Sequence, residues 1–435
     1  MRARDREIAR LAIPAFGALV AEPLYILADT AVVGHLGTPQ LAGLAIASSV
    51  LLTGYAIFIF LAYGTTAAVA RLLGAGDERE AAHQAVQGMW LALLIAAVLV
   101  PAGFFGADWL VRLLGASGDV ATNAEIYLRI SVLGVPAILV TLAGTGYLRG
   151  MQDTVTPLVV AVGTNIFNLG FELFLINGVG FGIGASALAT VLAQYIGAGV
   201  YVTNIGRAVG ARHVSLRPHG PSVRALARTG GPLFVRTAAL RGSLTMATAV
   251  AAHIGPVDVA AHAIAFELWN FLALALDAIA IAAQAIVGKE LGAGDAREAD
   301  VMSRRMLWIG FVTGVVFGTA VILLRTVLPH LFTGDPAVLA LAAFLLWYVG
   351  LMQPINGLVF VLDGILIGAS DLRYMAWAMV AAAAVLIAGG VLVLEFDAGI
   401  GWLWTAIGAF MIARLIGLGI RFQTGRWAVT GAVRA

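Results

Sequence analysis

The stretch Leu73-Gly74-Ala75-Gly76-Asp77 returns as Leu291-Gly292-Ala293-Gly294-Asp295, 218 residues further along the chain. The same offset relates three other matches: His35-Leu36-Gly37 to His253-Ile254-Gly255, Arg79-Glu80-Ala81 to Arg297-Glu298-Ala299, and Pro14 to Pro232. Self-similarity at a fixed offset is the sequence signature of internal repeats. The chain is therefore predicted to contain two copies of one structural unit.

The composition predicts an all-α membrane protein. Apolar residues make up 61% of the 435 residues and charged residues 11%, whereas soluble domains have about 45–50% and about 25%. The absence of cysteine excludes disulfides and thiolate metal sites. The arginines are scattered over the chain instead of forming one basic stripe, which disfavours nucleic-acid binding.

Twelve apolar segments are long enough to cross about 30 Å of hydrocarbon, which takes about 20 helical residues. The first of them follows Arg10 and continues to about Val33, too long for the core of a secretory signal peptide, so we expect it to be a span. The six spans of the first half are predicted at 11–33, 41–70, 84–105, 124–148, 154–176 and 182–203. Those of the second half are predicted at 229–252, 259–288, 302–328, 336–367, 373–394 and 400–422.

The basic residues predict the orientation of these spans. If both termini are cytoplasmic, most of the 26 Lys and Arg residues lie on that side, and the loops opposite contain only Arg112 and Arg325. This is the distribution that the positive-inside rule requires. We therefore expect a multi-pass protein of the bacterial cytoplasmic (inner) membrane with both termini in the cytoplasm.

Six spans in each half return the chain to the same side of the membrane. The predicted organisation is an N-terminal six-helix bundle (1–203), a cytoplasmic linker loop (204–228) and a C-terminal six-helix bundle (229–435). The two bundles are expected to be related by a pseudo-two-fold axis along the membrane normal. Paired repeats of this kind are typical of transporters.

Acidic residues inside the spans of the first half have no counterparts in the second half. Asp29 aligns with Ala247, and Glu172 aligns with Gly390. A charged side chain at the bilayer centre costs about 2.5–3.5 kcal/mol on insertion scales, so such residues face the bundle interior and commonly have a function. This asymmetry indicates a site in the first bundle.

Three spans of the first half each carry a polar stripe at helical spacing. Carboxylate, amide and hydroxyl oxygens on neighbouring helices suit a monovalent cation such as Na⁺, and they equally suit a proton, because burial disfavours the charged form of a carboxyl group. The alternative is that such residues serve only as interhelical hydrogen-bond partners. The stripes are Glu22, Tyr25 and Asp29; Asn165, Asn168 and Glu172; and Ser186, Thr190 and Gln194.

The second half has polar residues of its own within its spans. Arg241, Asp277 and Asp363 align with Pro23, Ile59 and Thr145 of the first half. We expect Arg241 and Asp277 to form a buried ion pair, with substrate binding as the alternative. Asp363 is a second candidate for a substrate contact, and so is Glu22, whose position next to Pro23 also allows a structural role.

Several motifs, in their order and within the twelve-span frame, resemble the multidrug and toxic compound extrusion (MATE) family and, within it, the DinF-like branch. The similarity covers about residues 8–422. The motifs of the first half are Asp29-Thr30-Ala31-Val32-Val33-Gly34-His35-Leu36-Gly37, Arg149-Gly150 with Asp153-Thr154, Asn165-x-x-Asn168-x-x-x-Glu172 and Gly184-Ala185-Ser186-Ala187-Leu188-Ala189-Thr190. Those of the second half are Ala261-His262-x-Ile264-Ala265, Asp277-Ala278 with Gln284, and Asp363-Gly364-x-x-x-Gly368.

The resemblance implies two six-helix bundles that form a V around a central cavity open alternately to each side. It implies export of amphipathic, often cationic, compounds in exchange for inward H⁺ or Na⁺, without a cofactor and without enzymatic activity. We expect the protein to work as a monomer in the lipid bilayer. Carried over by motif, the cation site comprises Asp29, Asn168, Glu172 and Thr190, with Asn165 on the same stripe.

Two further positions are singled out by the resemblance. Pro14 corresponds to a proline at which the first helix of family members is proposed to bend on protonation. Glu172 stands where the family usually has Asp, which keeps the carboxylate but adds a methylene group.

Three other functions are weighed against this one. A flippase for lipid-linked oligosaccharides of the same superfamily is the nearest alternative. A major-facilitator carrier would also have six plus six spans, but its Gly-x-x-x-Asp-Arg signature is missing. An intramembrane enzyme is disfavoured because the chain has neither His-Glu-x-x-His nor Gly-x-Ser-x-Gly.

Overall fold

The computed structural model describes residues 3–178 and 182–433, which are almost entirely α-helical and contain no strand. The helices of the first half are α1 (Ala3–Gly34), α2 (Thr38–Phe58), α3 (Phe60–Gly74), α4 (Glu78–Leu113), α5 (Gly118–Val132), α6 (Val135–Gly150), α7 (Val155–Leu173) and α8 (Ile183–Arg212). Those of the second half are α9 (Gly220–Ile254), α10 (Pro256–Gly292), α11 (Ala296–Leu324), α12 (Pro336–Gly368), α13 (Leu372–Glu395) and α14 (Ile400–Gln423).

Each of the twelve predicted spans coincides with one helix or with two consecutive helices. The predicted span 124–148 is broken into α5 and α6, which are bent by 49° relative to each other. Pro136 in the first turn of α6 accounts for this break, because proline cannot donate a backbone hydrogen bond to the carbonyl of Val132. By length and hydropathy alone, ten helical segments of the described chain could cross a membrane, with α2 and α3 counted as one segment, or eleven if α5 and α6 also form one span.

The repeated stretch that defines the two halves forms the same tight turn and helix start in both. Gly76 and Gly294 adopt left-handed backbone conformations, with φ of 76° and 85°, which favour glycine. The carboxylates that follow accept hydrogen bonds from the first turn of the next helix, Asp77 from the Glu80 amide (2.9 Å) and Asp295 from the Glu298 amide (2.8 Å). The conserved spacing therefore encodes a turn and an N-cap.

The described residues form two compact units, and the boundaries between the units fall inside two helices. The first unit contains Ile13–Gly230, and the second unit contains the described residues up to Ala12 together with those from Gly231 onward. The beginning of α1 therefore belongs with the second half, and the beginning of α9 belongs with the first half. The boundaries predicted from the sequence are different: an N-terminal bundle that ends at 203 and a C-terminal bundle that begins at 229.

Polar contacts attach each of these helix starts to its unit. At the beginning of α1, Arg305 donates to Asp5 (2.7 Å) and Arg4 donates to Glu298 (2.8 Å). Just before α9, the backbone amide of His219 donates to the side-chain oxygen of Gln87 (2.8 Å). These contacts follow the repeat, since Gln87 and Arg305 are equivalent positions.

The segment 204–228, predicted as a linker loop, is mostly helical. Helix α8 continues to Arg212, where His213 adopts a left-handed C-cap, and α9 begins at Gly220, so only 213–219 lie outside helices. Hydropathy marks the residues that leave the hydrocarbon, whereas a helix ends only where its backbone hydrogen bonds end. The prediction of a loop is therefore wrong for most of this segment.

Helices α11 and α12 pack closely through glycine. A Cβ atom on Gly314 would overlap the carbonyl oxygen of Gln353, and one on Gly357 would overlap the carbonyl oxygen of Gly310. Small residues at such crossings allow two backbones to approach, which is a main source of helix association within a bilayer.

Substitution of Gly314 by alanine is expected to destabilise the second half. The added methyl group meets backbone atoms that cannot move aside, and such overpacking costs about 1–3 kcal/mol. The thermal unfolding midpoint of the detergent-purified protein should fall. Gly419→Ala, on α14 with no atom within 4 Å of the added Cβ, is the matched control. Equal midpoints for the two variants would show that the α11–α12 contact is not tightly packed.

Candidate functional site

Helices α1, α7 and α8 bring two carboxyl groups together inside the first unit. Asp29 on α1 is 6% exposed, and Glu172 near the end of α7 is fully buried. The two carboxyl groups interact electrostatically with each other, and Ser186 on α8 contacts Asp29. The residues that the repeat comparison singled out as unmatched acids therefore share one site.

Hydroxyl groups surround Asp29. Ser186, itself fully buried, donates its Oγ hydrogen to Oδ1 of Asp29 at 2.8 Å. The phenol of Tyr25, one helical turn earlier on α1, approaches the same oxygen at 3.3 Å. Asp29 is thus held by two neutral donors.

A second set of hydrogen bonds connects Tyr25 to the other two helices. The side-chain amide of Asn168 donates to the Tyr25 oxygen at 2.6 Å and to Oγ1 of Thr190 at 3.2 Å. The Tyr25 and Thr190 oxygens are themselves 3.0 Å apart. Asn168 and Thr190, two of the predicted site residues, are therefore linked to Asp29 through Tyr25.

Three acceptor oxygens of the site are buried without a hydrogen-bond donor: both carboxyl oxygens of Glu172 and Oδ1 of Asn168. Within the described residues, neither Asp29 nor Glu172 forms an ion pair with a basic side chain. Two adjacent buried carboxyl groups without a counter-ion cannot both remain ionised at low cost, because burial and mutual repulsion disfavour the doubly charged form. The arrangement can accept a proton or a small cation.

The backbone next to Glu172 departs from α-helical geometry. Helix α7 ends at Leu173 and continues as a π-helical turn, Phe174–Gly178. Single π-helical turns occur frequently at functional sites. Here the turn begins two residues after Glu172, whose two carboxyl oxygens are unsatisfied.

The second unit contains a buried charge cluster of opposite character. Asp363 on α12 accepts from the guanidinium groups of Arg236 on α9 and Arg414 on α14, and all three residues are buried. The repeat aligns these positions with Thr145, Ala18 and Ile196, so the first half has no equivalent of this cluster. The negative charge of one carboxylate is already neutralised by two guanidinium groups, so this cluster does not favour binding of a proton or Na⁺.

A family model named MatE matches the chain twice, over residues 14–174 and 232–392. The two matches begin 218 residues apart, which is the offset of the repeat. The chain belongs to the MATE family. Its members are transporters for the extrusion of drugs and toxic compounds, so the resemblance seen in the sequence is confirmed.

Individual MATE proteins match over nearly the whole chain. It is 35% identical to Protein DETOXIFICATION 44, chloroplastic, of Arabidopsis thaliana, an alignment that covers 97% of this chain and 83% of that protein. It is 28% identical to DNA damage-inducible protein F of Escherichia coli (strain K12), with 97% and 94% covered. A solved structure described as the outward-facing conformation of a multidrug resistance MATE family transporter of the MOP superfamily matches with a TM-score of 0.86 at 20% identity, covering 97% of both chains. The predicted all-α fold is thus confirmed as the MATE fold.

Other predicted residues of this MATE transporter lie apart from the carboxyl pair. The side-chain amide of Asn165 donates to the backbone carbonyl of Ala21 on α1 at 2.9 Å. Glu22 is exposed, and Pro14 is a half-buried residue inside the continuous helix α1. Gln194 packs against Gly134, between α5 and α6.

The second-half predictions have different outcomes. Arg241 is exposed and Asp277, on α10, is half-buried. The predicted burial of this pair is therefore wrong, and the pairing itself stays a prediction. Asp363 binds two arginines of its own unit. A charged residue in the middle of a helix does not identify its partner on another helix, and that is why Arg236 and Arg414 were missed.

One residue near the carboxyl pair was not anticipated. Tyr127 on α5 is buried and interacts with Asp29 and with the hydroxyl groups of Ser186 and Thr190. Asn123, Tyr127 and Ser131 are spaced i, i+4, i+8, so the same stripe pattern could have selected Tyr127 from the sequence.

Proposed function

We propose that this MATE transporter is an antiporter that exports amphipathic, often cationic, organic compounds and takes up protons in return. One observation carries the proposal: Asp29 and Glu172 form a buried carboxyl pair with no basic partner among the described residues. A pair of this kind changes its net charge when it takes up a proton, and that change can bias a bundle between two arrangements.

The hydrogen-bond pattern supports a proton over Na⁺ as the coupling ion. Asp29 faces the hydroxyl hydrogens of Ser186 and Tyr25, and Asn168 directs its NH₂ group at Tyr25 and Thr190. Hard cations are bound by several oxygen lone pairs. In this site the oxygens without a donor belong to Glu172 and Asn168 alone.

The proposed transport direction rests on the distribution of charge. With both termini in the cytoplasm, proton entry from the outside is driven by the membrane potential at about 2.3 kcal/mol per charge per 100 mV. Protonation of the carboxyl pair in the first unit would favour release of the exported compound. Return to the inward-facing arrangement would release the proton in the cytoplasm, where its concentration is lower.

The test uses the purified protein in proteoliposomes loaded with a cationic amphipathic dye. A pH gradient without Na⁺ and a Na⁺ gradient without a pH difference are imposed separately, with the potential clamped by potassium and valinomycin. Dye movement is expected with the pH gradient and not with the Na⁺ gradient, and addition of dye should release protons from the carrier.

Two results would contradict the proposal. Dye movement driven by Na⁺ alone would reject the proton and retain antiport. If neither gradient moves dye while a lipid-linked oligosaccharide crosses the membrane, the protein is a flippase and not a drug antiporter.

A further inference from the structure

The segment 204–228 contains five arginines and two histidines but no acidic residue. One of the arginines, Arg212, is already bonded to Glu78 at the start of α4. The other four are exposed to solvent: Arg207, Arg217, Arg224 and Arg228. We call these four exposed residues the basic surface.

The equivalent region of the other repeat contains acids among its arginines. Arg224 and Arg228 correspond to Arg6 and Arg10, but the positions of Val223 and Ala225 are occupied there by acids. Those acids are Asp5, which is bonded to Arg305, and Glu7, which lies 3.8 Å from Lys289. The repeats thus share a pair of arginines but differ in whether acids accompany it.

The start of α9 is amphipathic, so the two arginines of the basic surface that lie on α9 have a fixed direction. Val223 and Leu226 pack against a buried apolar cluster of the first unit. Gly230, at the next position of this face, lies against the ring of Phe60. Arg224 and Arg228 are one turn apart on the exposed face.

Trp90 and the start of the predicted span within α9 indicate that the segment 204–228 lies at the membrane surface. The indole of Trp90 donates to the backbone carbonyl of Leu216 at 2.8 Å, and tryptophan is enriched where hydrocarbon meets headgroups. The predicted span begins only at 229, so the first residues of α9 extend beyond the hydrocarbon. Leu216 itself is 63% exposed although it is apolar.

We propose that the basic surface binds the headgroups of anionic phospholipids. Clusters of arginine directly next to a membrane span attract anionic lipid, and the positive end of α9 adds to that attraction. The exposed Leu216 beside it suits contact with the outer part of the acyl chains. No acidic residue of the segment competes with the lipid phosphate for the arginines.

The absence of cysteine allows a single reporter to be placed at the surface. The Leu216→Cys variant, labelled with bimane, is reconstituted in phosphatidylcholine vesicles that contain either brominated phosphatidylglycerol or the same fraction of brominated phosphatidylcholine. Bimane quenching by the anionic lipid should exceed quenching by the zwitterionic lipid. The derived enrichment should fall about fivefold for each arginine removed in Arg224→Gln and Arg228→Gln, and it should fall with ionic strength.

Two further variants in the same background distinguish a local site from a general charge effect. Arg224→Lys with Arg228→Lys should retain the enrichment, because the charge is kept. Arg6→Gln with Arg10→Gln, the repeat-matched control, should leave quenching at position 216 unchanged. Equal quenching by the two lipids with all arginines present, or an equal loss in the Arg6/Arg10 control, would overturn the proposal.

Discussion

Asp29→Asn is expected to reduce proton-driven efflux to the rate of protein-free liposomes while the protein remains folded. Asparagine is nearly isosteric with aspartate and can still accept the hydrogen bond from Ser186, so the contacts among α1, α7 and α8 are preserved. It cannot take up or release a proton, and the carboxyl pair is reduced to Glu172 alone. Removal of a buried ionisable group from a membrane span should also leave stability unchanged or slightly higher.

The measurement combines dye efflux from proteoliposomes with proton release on addition of dye to the purified protein. Glu172→Gln should give the same loss in both assays, because each carboxyl group needs the other to form the coupled pair. Asp108→Asn, which removes an exposed acid paired with Arg112 in the same unit, is the control and should retain both activities. If Asp29→Asn retains pH-driven efflux, Asp29 is not part of the coupling mechanism.

The residues of this site could be predicted because two independent patterns selected them. Helical periodicity placed Asn168 and Glu172 on one face of α7, and the comparison between repeats showed that Glu172 and Asp29 have no counterparts. Both patterns depend only on local geometry and on the aligned sequence. The structure then adds that these faces meet, with Ser186 and Thr190 of α8 beside them.

Helical periodicity predicts which face of a helix a residue lies on, but not how far along the helix axis it lies from the site. Asn165 shares its face with Glu172, yet seven residues of helix separate them by about 10 Å along the axis, and Asn165 bonds to the backbone of α1 instead. Gln194 lies eight residues from Ser186, which moves it about 12 Å along α8 and also rotates it away. The stripe pattern therefore does not determine how far along the helix axis a residue lies from the site, and over eight residues it also loses the face.

The ion pairs of the second half show a different limit of prediction from the sequence. The comparison between repeats selected Asp363, but its partners are 127 and 51 residues distant in sequence. The pattern instead suggested a pair between Arg241 and Asp277, since both are charged and lack counterparts. Which face of α9 turns inward is decided by tertiary packing, and the structure buries Arg236 while it exposes Arg241.

Asp363→Asn is expected to destabilise the protein by about 3–5 kcal/mol, the cost of removing one partner from a buried ion pair. The substitution removes the carboxylate that the buried guanidinium groups of Arg236 and Arg414 share. The thermal unfolding midpoint in detergent should drop strongly. Asp300→Asn, which breaks an exposed pair with Arg304, should change stability by no more than about 1 kcal/mol.

A compensating variant separates the effect of charge from that of packing. Because a buried ion cluster can often be replaced by apolar residues without loss of stability, the triple variant Asp363→Leu, Arg236→Met, Arg414→Met should recover much of the unfolding midpoint that Asp363→Asn loses. It should also retain proton-driven efflux, since an acid neutralised by two arginines has no proton to exchange. Loss of coupling in the folded triple variant would mean that Asp363 takes part in transport, and that the second unit contains a coupling site despite its two guanidinium groups.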